Sequence, residues 1–198
     1  MLGFIMRDRS LVPTPSSYAR RTVFLDALDG TMKIMDDDRT CYGLGGLGAM
    51  IIKGATQTKT SNTTYADDDE LLFAVEANKD YLFQGRILFE TATTPDFKIQ
   101  IAVPSTPTLF VVQRQAIAPG ATSISNIGVD TATTSVPILS VSGTHGIFEF
   151  SGLLRNGANA GNLSVQWAQN TSDPANTKVL LGSTLEFRQI SGYGLSGP

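Results

Sequence analysis

Residues 41–54 read CYGLGGLGAMIIKG, and Gly43, Gly45 and Gly48 carry the G-x-G-x-x-G spacing of a dinucleotide-binding turn. That chemistry needs a strand before the glycines and a helix after them. The backbone then approaches a pyrophosphate and the helix N-terminus faces its charge. With 19 glycines in the chain, the spacing alone is weak evidence. The following AMIIKGATQTKTSNTTYADDD is rich in threonine and has no apolar face at helical spacing, so no helix is expected to open at Gly48. The glycines read as a joint, and no cofactor is expected.

The remaining reactive side chains are few. His145 stands in SGTHGIF, and as a general base it would need a nucleophile and an orienting acid. No G-x-S-x-G elbow occurs and Cys41 lies in the joint, so His145 reads as a solvated turn residue. One cysteine and one histidine exclude a disulfide framework and a four-ligand zinc site. The acidic runs Asp36, Asp37, Asp38 and Asp67 to Glu70 could offer oxygens to a hard cation, but neither follows an EF-hand loop. Solvated turns that discourage edge-to-edge strand pairing are expected there. Only 17% of residues are charged, and no acid sits where a raised pKa would suit glycoside hydrolysis. Trp167, the single tryptophan, alternates with Leu163 and Val165, which favours burial in a core or interface over ligand stacking. No catalytic, cofactor-binding or metal-binding residue is expected, and no enzyme.

Size and charge narrow the classes further. A chain of 198 residues with 41% hydrophobic content can bury a real core. A net charge of −3 and a pI near 5.1 argue against a nucleic-acid binder that depends on counterion release. No segment reaches the roughly 20 apolar residues of a membrane span. Arg7, Asp8 and Arg9 interrupt any signal-like apolar run, so a soluble chain not exported by the general route is expected. The sequons at Asn62, Asn162 and Asn170 carry no weight without a secretory signal.

These side chains would be positioned by strands. Residues 1–20 read equally as an extended arm or as a disordered tail. TVFLDALDGTMKIM reads as a hairpin turning at Asp29-Gly30, so that residues 21–54 comprise a hairpin and the Gly-rich joint. From Glu70 onward, short β-rich runs alternate with turns. Strands are expected at 71–77, 80–90, 96–104, 108–115, 136–142, 146–155, 162–169 and 183–190, with edge strands near ATSISNIGV and TKVLL. Phe97, Ile99 and Ile101 share one face against Lys98 and Gln100. Residues 55–198 therefore predict an all-β domain, an antiparallel β-sandwich of jelly-roll type, with another Greek key as the alternative. A faint echo links YLFQGRILF plus DFKIQIAVP with GIFEFSGLLR plus NLSVQWAQN. Each half has a central glycine, Gly85 or Gly152; two equivalent hairpins, one in each sheet, would produce it, as would ordinary β-sandwich statistics.

The segments ADDDELLFAVEANKDYLFQGRILFETATTPDFKIQIAVP and GIFEFSGLLRNG, with GNLSVQWAQNTSDPANTKVLLGSTLEFRQI, resemble β-sandwich segments of tailed-bacteriophage virion proteins. The likeness covers roughly residues 56–190, departing from Pro104 to Val136. It implies a capsid cement or decoration protein on the outer head surface, made in the bacterial host cytoplasm. It further implies a homotrimer and the major capsid protein as partner, with no nucleic acid and no membrane. A tail-fibre or receptor-binding module, working through loops such as Asn156 to Gly161 or Pro104 to Pro107, is the alternative.

Overall fold

A computed structural model describes residues 6–7, 22–26, 32–35, 41–43, 49–139 and 145–190. By internal contacts the chain forms two compact units, one of residues 1–48 with 188–198 and one of residues 49–187. Every regular element among the described residues is a strand.

In the first unit, β1 (Met6–Arg7), β2 (Thr22–Asp26), β3 (Met32–Met35) and β4 (Cys41–Gly43) form a sheet in that order. Strands β2 and β3 run antiparallel with Thr22 opposite Met35 and Leu25 opposite Met32, as a hairpin requires. The turn at Asp29-Gly30 lies outside the described residues, as do Asp36, Asp37 and Asp38. Within the expected arm, Met6 and Arg7 pair in parallel with Leu25 and Asp26.

The second unit contains β5 (Ala49–Ile52), β6 (Gln57–Lys59), β7 (Ala66–Val75), β8 (Asp80–Thr91), β9 (Phe97–Ala102) and β10 (Leu109–Ile117). After them come β11 (Ser125–Asp130), β12 (Val136–Ile138), β13 (Gly146–Arg155), β14 (Gly161–Ala168), β15 (Thr177–Val179) and β16 (Thr184–Gln189), the last two residues of which count with the first unit. Their antiparallel pairs are nested: β10 with β11, β9 with β12, β8 with β13, β7 with β14, β6 with β15 and β5 with β16. The four inner pairs alternate between an eight-stranded sheet and the four-stranded sheet β12-β9-β14-β7. A long two-stranded ribbon folded over itself in this way is the jelly-roll wind. The expected antiparallel β-sandwich is therefore observed.

The core forms because alternation sends one face of every strand inward. Phe97, Ile99 and Ile101 are buried while Lys98, Gln100 and Ala102 are not. Rings from the two sheets stack directly, Phe89 on Phe97 at 4.3 Å and Phe73 on Phe187 at 3.8 Å.

Four expectations need correction. Ala49–Ile52, placed in the joint, is a strand of the sandwich opposite β16, and β6 follows it in the threonine-rich run. The acidic run 67–70 is not a turn but lies within β7, which begins at Ala66. The echo does not put one hairpin in each sheet. β8 and β13 are neighbours in the larger sheet, and β9 and β14 are neighbours in the smaller, so each half crosses between layers. Along β8 and β13, Gly85 faces Phe150 and Gly152 faces Phe83, each ring covering the glycine opposite. Strand 136–142 is shorter than expected, ending at Ile138, and residues 140–144 lie outside the described residues.

Candidate functional site

Among the described residues, the most concentrated group of ionisable side chains is built by an irregularity in β7. Ser164 pairs with Leu72 and Gln166 with Asp67, so five steps along β7 face two along β14. This bulge reverses the inward phase, from Asp68 before it to Leu71, Phe73 and Val75 after it. Backbone N–H groups released by the bulge need acceptors. Glu70 N and Leu71 N both donate to Asp68 Oδ1 at 3.1 Å. Trp167 Nε1 donates to Asp68 Oδ2 at 3.1 Å, and Lys53 Nζ donates to Oδ1 at 2.8 Å. The Lys53 and Asp68 side chains are 1% and 0% exposed.

Around this pair the polar groups are satisfied in a shell. Glu70 accepts from Gly54 N at 2.8 Å and Ala55 N at 3.2 Å, and its Oε1 lies 3.5 Å from Lys53 Nζ. The Gly54 N–H, helped by that of Ala55 and by the Lys53 ammonium, holds the Glu70 carboxyl below the usual range. Lys59 Nζ donates to the Trp167 carbonyl at 2.7 Å and sits 4.2 Å from the indole centroid. Burial lowers the Lys59 pKa, against the pull of Asp68, Asp69 and Asp67. Asp67 Oδ1 accepts from Ser164 Oγ at 2.6 Å and Gln166 Nε2 at 2.9 Å. No group of three or more His, Cys, Asp or Glu suited to a metal ion occurs among the described residues. Sequence reasoning missed this cluster. The available signal was a lone lysine closing the apolar run AMII, together with an acid out of phase with the leucines after it.

The other candidates separate. Gly43 ends β4 and residues 44–48 lie outside the described residues, but Ala49–Ile52 is a strand where a dinucleotide turn needs a helix. His145 is largely exposed, with Nε2 3.1 Å from Glu90 Oε1, while Lys178 holds the other Glu90 oxygen at 3.0 Å. Trp167 is fully buried, as its alternation predicts. The two loops named as a binding surface are brought together. Asn159 Nδ2 donates to Ser105 O, Ser105 Oγ and Thr106 Oγ1 at 3.1–3.3 Å, and the Gly161 backbone abuts Pro104. Asn156 anchors this cluster by donating from Nδ2 to the Glu76 and Asn159 carbonyls.

The outer faces of the two sheets differ in chemistry. On the smaller sheet, Lys98, Gln100, Gln166 and Asp67 alternate with buried residues, and Gln100 Nε2 bonds Gln166 Oε1 at 2.6 Å. On the larger sheet, Leu109, Gln113 and Ile117 alternate with buried Phe110, Val112 and Ala116. Val129 pairs with Gln113 and so shares that outer face, and Ile127 two residues away shares it too. Ile127 is 70% exposed and Val129 65%. Met50, Ile52 and Leu82 are exposed as well, Met50 and Ile52 opposite Glu186 and Thr184. Charged groups lie among them: Arg86 pairs with Glu149 at 2.6 Å and Arg155 with Asp80 at 3.3 Å, while Glu186 accepts from the Gln84 amide at 2.8 Å.

No protein-family model matches the sequence, and no curated protein matches it. Among solved structures, the chain is similar to that of infectious bursal disease virus, Gt strain, at 10% identity and a TM-score of 0.20. That superposition covers 90% of this chain and 50% of the other. A mutant VP2 protein of infectious bursal disease virus, from T=1 particles, gives 9% identity and a TM-score of 0.21 over 88% and 49%. The Gx strain gives 8% and 0.19 over 81% and 49%. The chain spans about half the length of the structures it matches. At these scores the likeness decides nothing, and the fold assignment rests on the strand pairing.

Proposed function

We propose that this chain is a structural component of a tailed-phage virion, acting as a capsid cement or decoration protein that bridges major capsid subunits on the outer head surface. The observation that carries this reading is the set of exposed apolar side chains on the outer face of the larger sheet, Ile127 and Val129 foremost. It is a surface suited to adhesion to other polypeptides. Most sheet margins carry a proline, a lysine, acids or a bulge that discourage unwanted pairing, which suits a particle exterior. Copies arrayed on a lattice gain avidity from modest individual contacts. A homotrimer, with the N-terminal residues 1–20 reaching a neighbour, is part of the proposal, as is synthesis in the host cytoplasm.

The tail-fibre or receptor-binding reading is favoured by one observation, the joined loops at 104–107 and 156–161. Counting copies in purified particles separates the two. Hundreds on heads, with heads losing stability when the protein is absent, are expected for cement. A handful at the tail would establish the second reading instead. The chain with residues 1–20 deleted should keep a folded sandwich and lose particle occupancy; normal occupancy would remove the arm from the account.

A further inference from the structure

We propose that Lys53 and Asp68 condense into a side-chain amide, a covalent tie between the two sheets that is independent of the virion reading. Lys53 follows β5 of the larger sheet and Asp68 belongs to β7 of the smaller one. The nucleophile and the acyl group are already in contact, Nζ 2.8 Å from Oδ1, with both side chains closed to solvent. Holding two such groups in a fixed dry contact supplies the orientation that a reaction in water lacks. A third group with the right chemistry is beside them. The Glu70 carboxylate, fixed by the Gly54 and Ala55 N–H groups, lies 3.5 Å from the same nitrogen and can accept its proton. A fourth, Trp167 Nε1, donates to Asp68 Oδ2, where negative charge gathers when the nitrogen attacks Cγ.

The step balances without an oxidant, a reductant or any other reactant. Lys53 Nζ, as an ammonium, gives up two of its three protons. Its lone pair forms the bond to Asp68 Cγ, and the bond from Cγ to Oδ1 breaks. Both protons leave on Oδ1 as one water molecule, carried by Glu70, which ends unchanged. Oδ2 remains as the amide carbonyl under the Trp167 N–H, and the new amide N–H faces Glu70 Oε1. In water two ions of this kind are held apart by their hydration. In the closed site that hydration is already lost, and condensation removes both charges from the interior.

The test is the mass of the intact full-length chain under denaturing conditions. The expected value is lower than that of the sequence by one water molecule, with proteolysis yielding a branched peptide that joins the segments containing Lys53 and Asp68. A chain at full sequence mass, after prolonged incubation of the folded protein, would overturn the proposal and leave an ion pair. Lys53→Arg should show no water loss; loss in that variant would place the dehydration elsewhere, for example in a cyclised aspartate, and also overturn it. Glu70→Gln, a change at a partly exposed side chain, should slow bond formation by about 100-fold or more. An unchanged rate would remove Glu70 from the step.

Discussion

At the scale of single residues, the packing of glycine against phenylalanine is the sharpest determinant in the larger sheet. A Cβ added at Gly146 would lie 2.3 Å from Phe89 Cζ, and its three nearest atoms all belong to that ring. One added at Gly152 would meet Phe83 Cζ and also the Val111 carbonyl oxygen, both at 2.5 Å. A ring can be shortened, whereas a backbone carbonyl cannot. Gly146→Ala and Gly152→Ala should each cost about 1–3 kcal/mol in urea unfolding. Combining Gly146→Ala with Phe89→Leu should cost clearly less than the sum of the two changes, while Gly152→Ala with Phe83→Leu should stay near additive. Titration gives a second residue-scale prediction. The side-chain donors of Gln115 and Arg86 hold the Glu149 carboxyl below its usual range. A carboxylate lowered by folding adds stability above its unfolded pKa, and that stability is lost as pH falls through the folded value. Glu149→Gln should therefore flatten the acid limb of stability against pH, by a small amount because the site is near the surface.

Among the elements, β11 differs from the other strands at sheet margins. β12 carries Pro137, β7 has its bulge and acids, and β6 is three residues long and contains Lys59. Each device discourages pairing with another chain. β11 has an irregularity of its own, three steps from Ser125 to Gly128 facing two of β10, but no proline or lysine, and it is held from within by Arg114, whose guanidinium bonds the Asp130 carboxylate at 2.5 Å and the Asn126 carbonyl at 2.6 Å. Replacing Ile127 and Val129 by lysine should change unfolding free energy by less than about 0.5 kcal/mol per site. The same change should weaken particle binding sharply, which a co-sedimentation assay would read. Asp130→Ala should act in the opposite sense, loosening β11 and lowering its amide-exchange protection.

These elements also show how far the sequence could be read. Alternation in 97–102 and 162–168 placed strands near their observed limits. The short strands β5 and β6 escaped because AMII shows no alternation and QTK has no apolar residue. Asp67 to Glu70 was misplaced because an acidic run normally reads as solvated. Only the phase reversal at the bulge, fixed by partners 15 and 99 residues away, turns Asp68 inward. Such long-range pairings leave no local trace.

For the whole molecule, nesting means that the ribbon's outermost strands are the most distant in sequence. The pairs β8·β13 and β5·β16 close long loops before their contacts are rewarded, so refolding should fall in the millisecond-to-second range of sheet proteins rather than in microseconds. Stopped-flow tryptophan fluorescence, reporting the single buried Trp167, would measure it. Amide exchange should be slowest in β8 and β13, which have bonded neighbours on both sides.

The nesting also fixes where tension enters. The sandwich begins at Ala49 and ends at Phe187, and these two residues sit opposite each other in one strand pair. A pull applied through them meets the hydrogen bonds one at a time, like a zipper opened from its end, instead of loading the whole ladder at once. Peeling would travel from Ala49 toward Lys53 and halt there, where the side chain is anchored in the opposite layer. The first few residues of β5 would thus yield under modest force while everything inside that anchor keeps its shape.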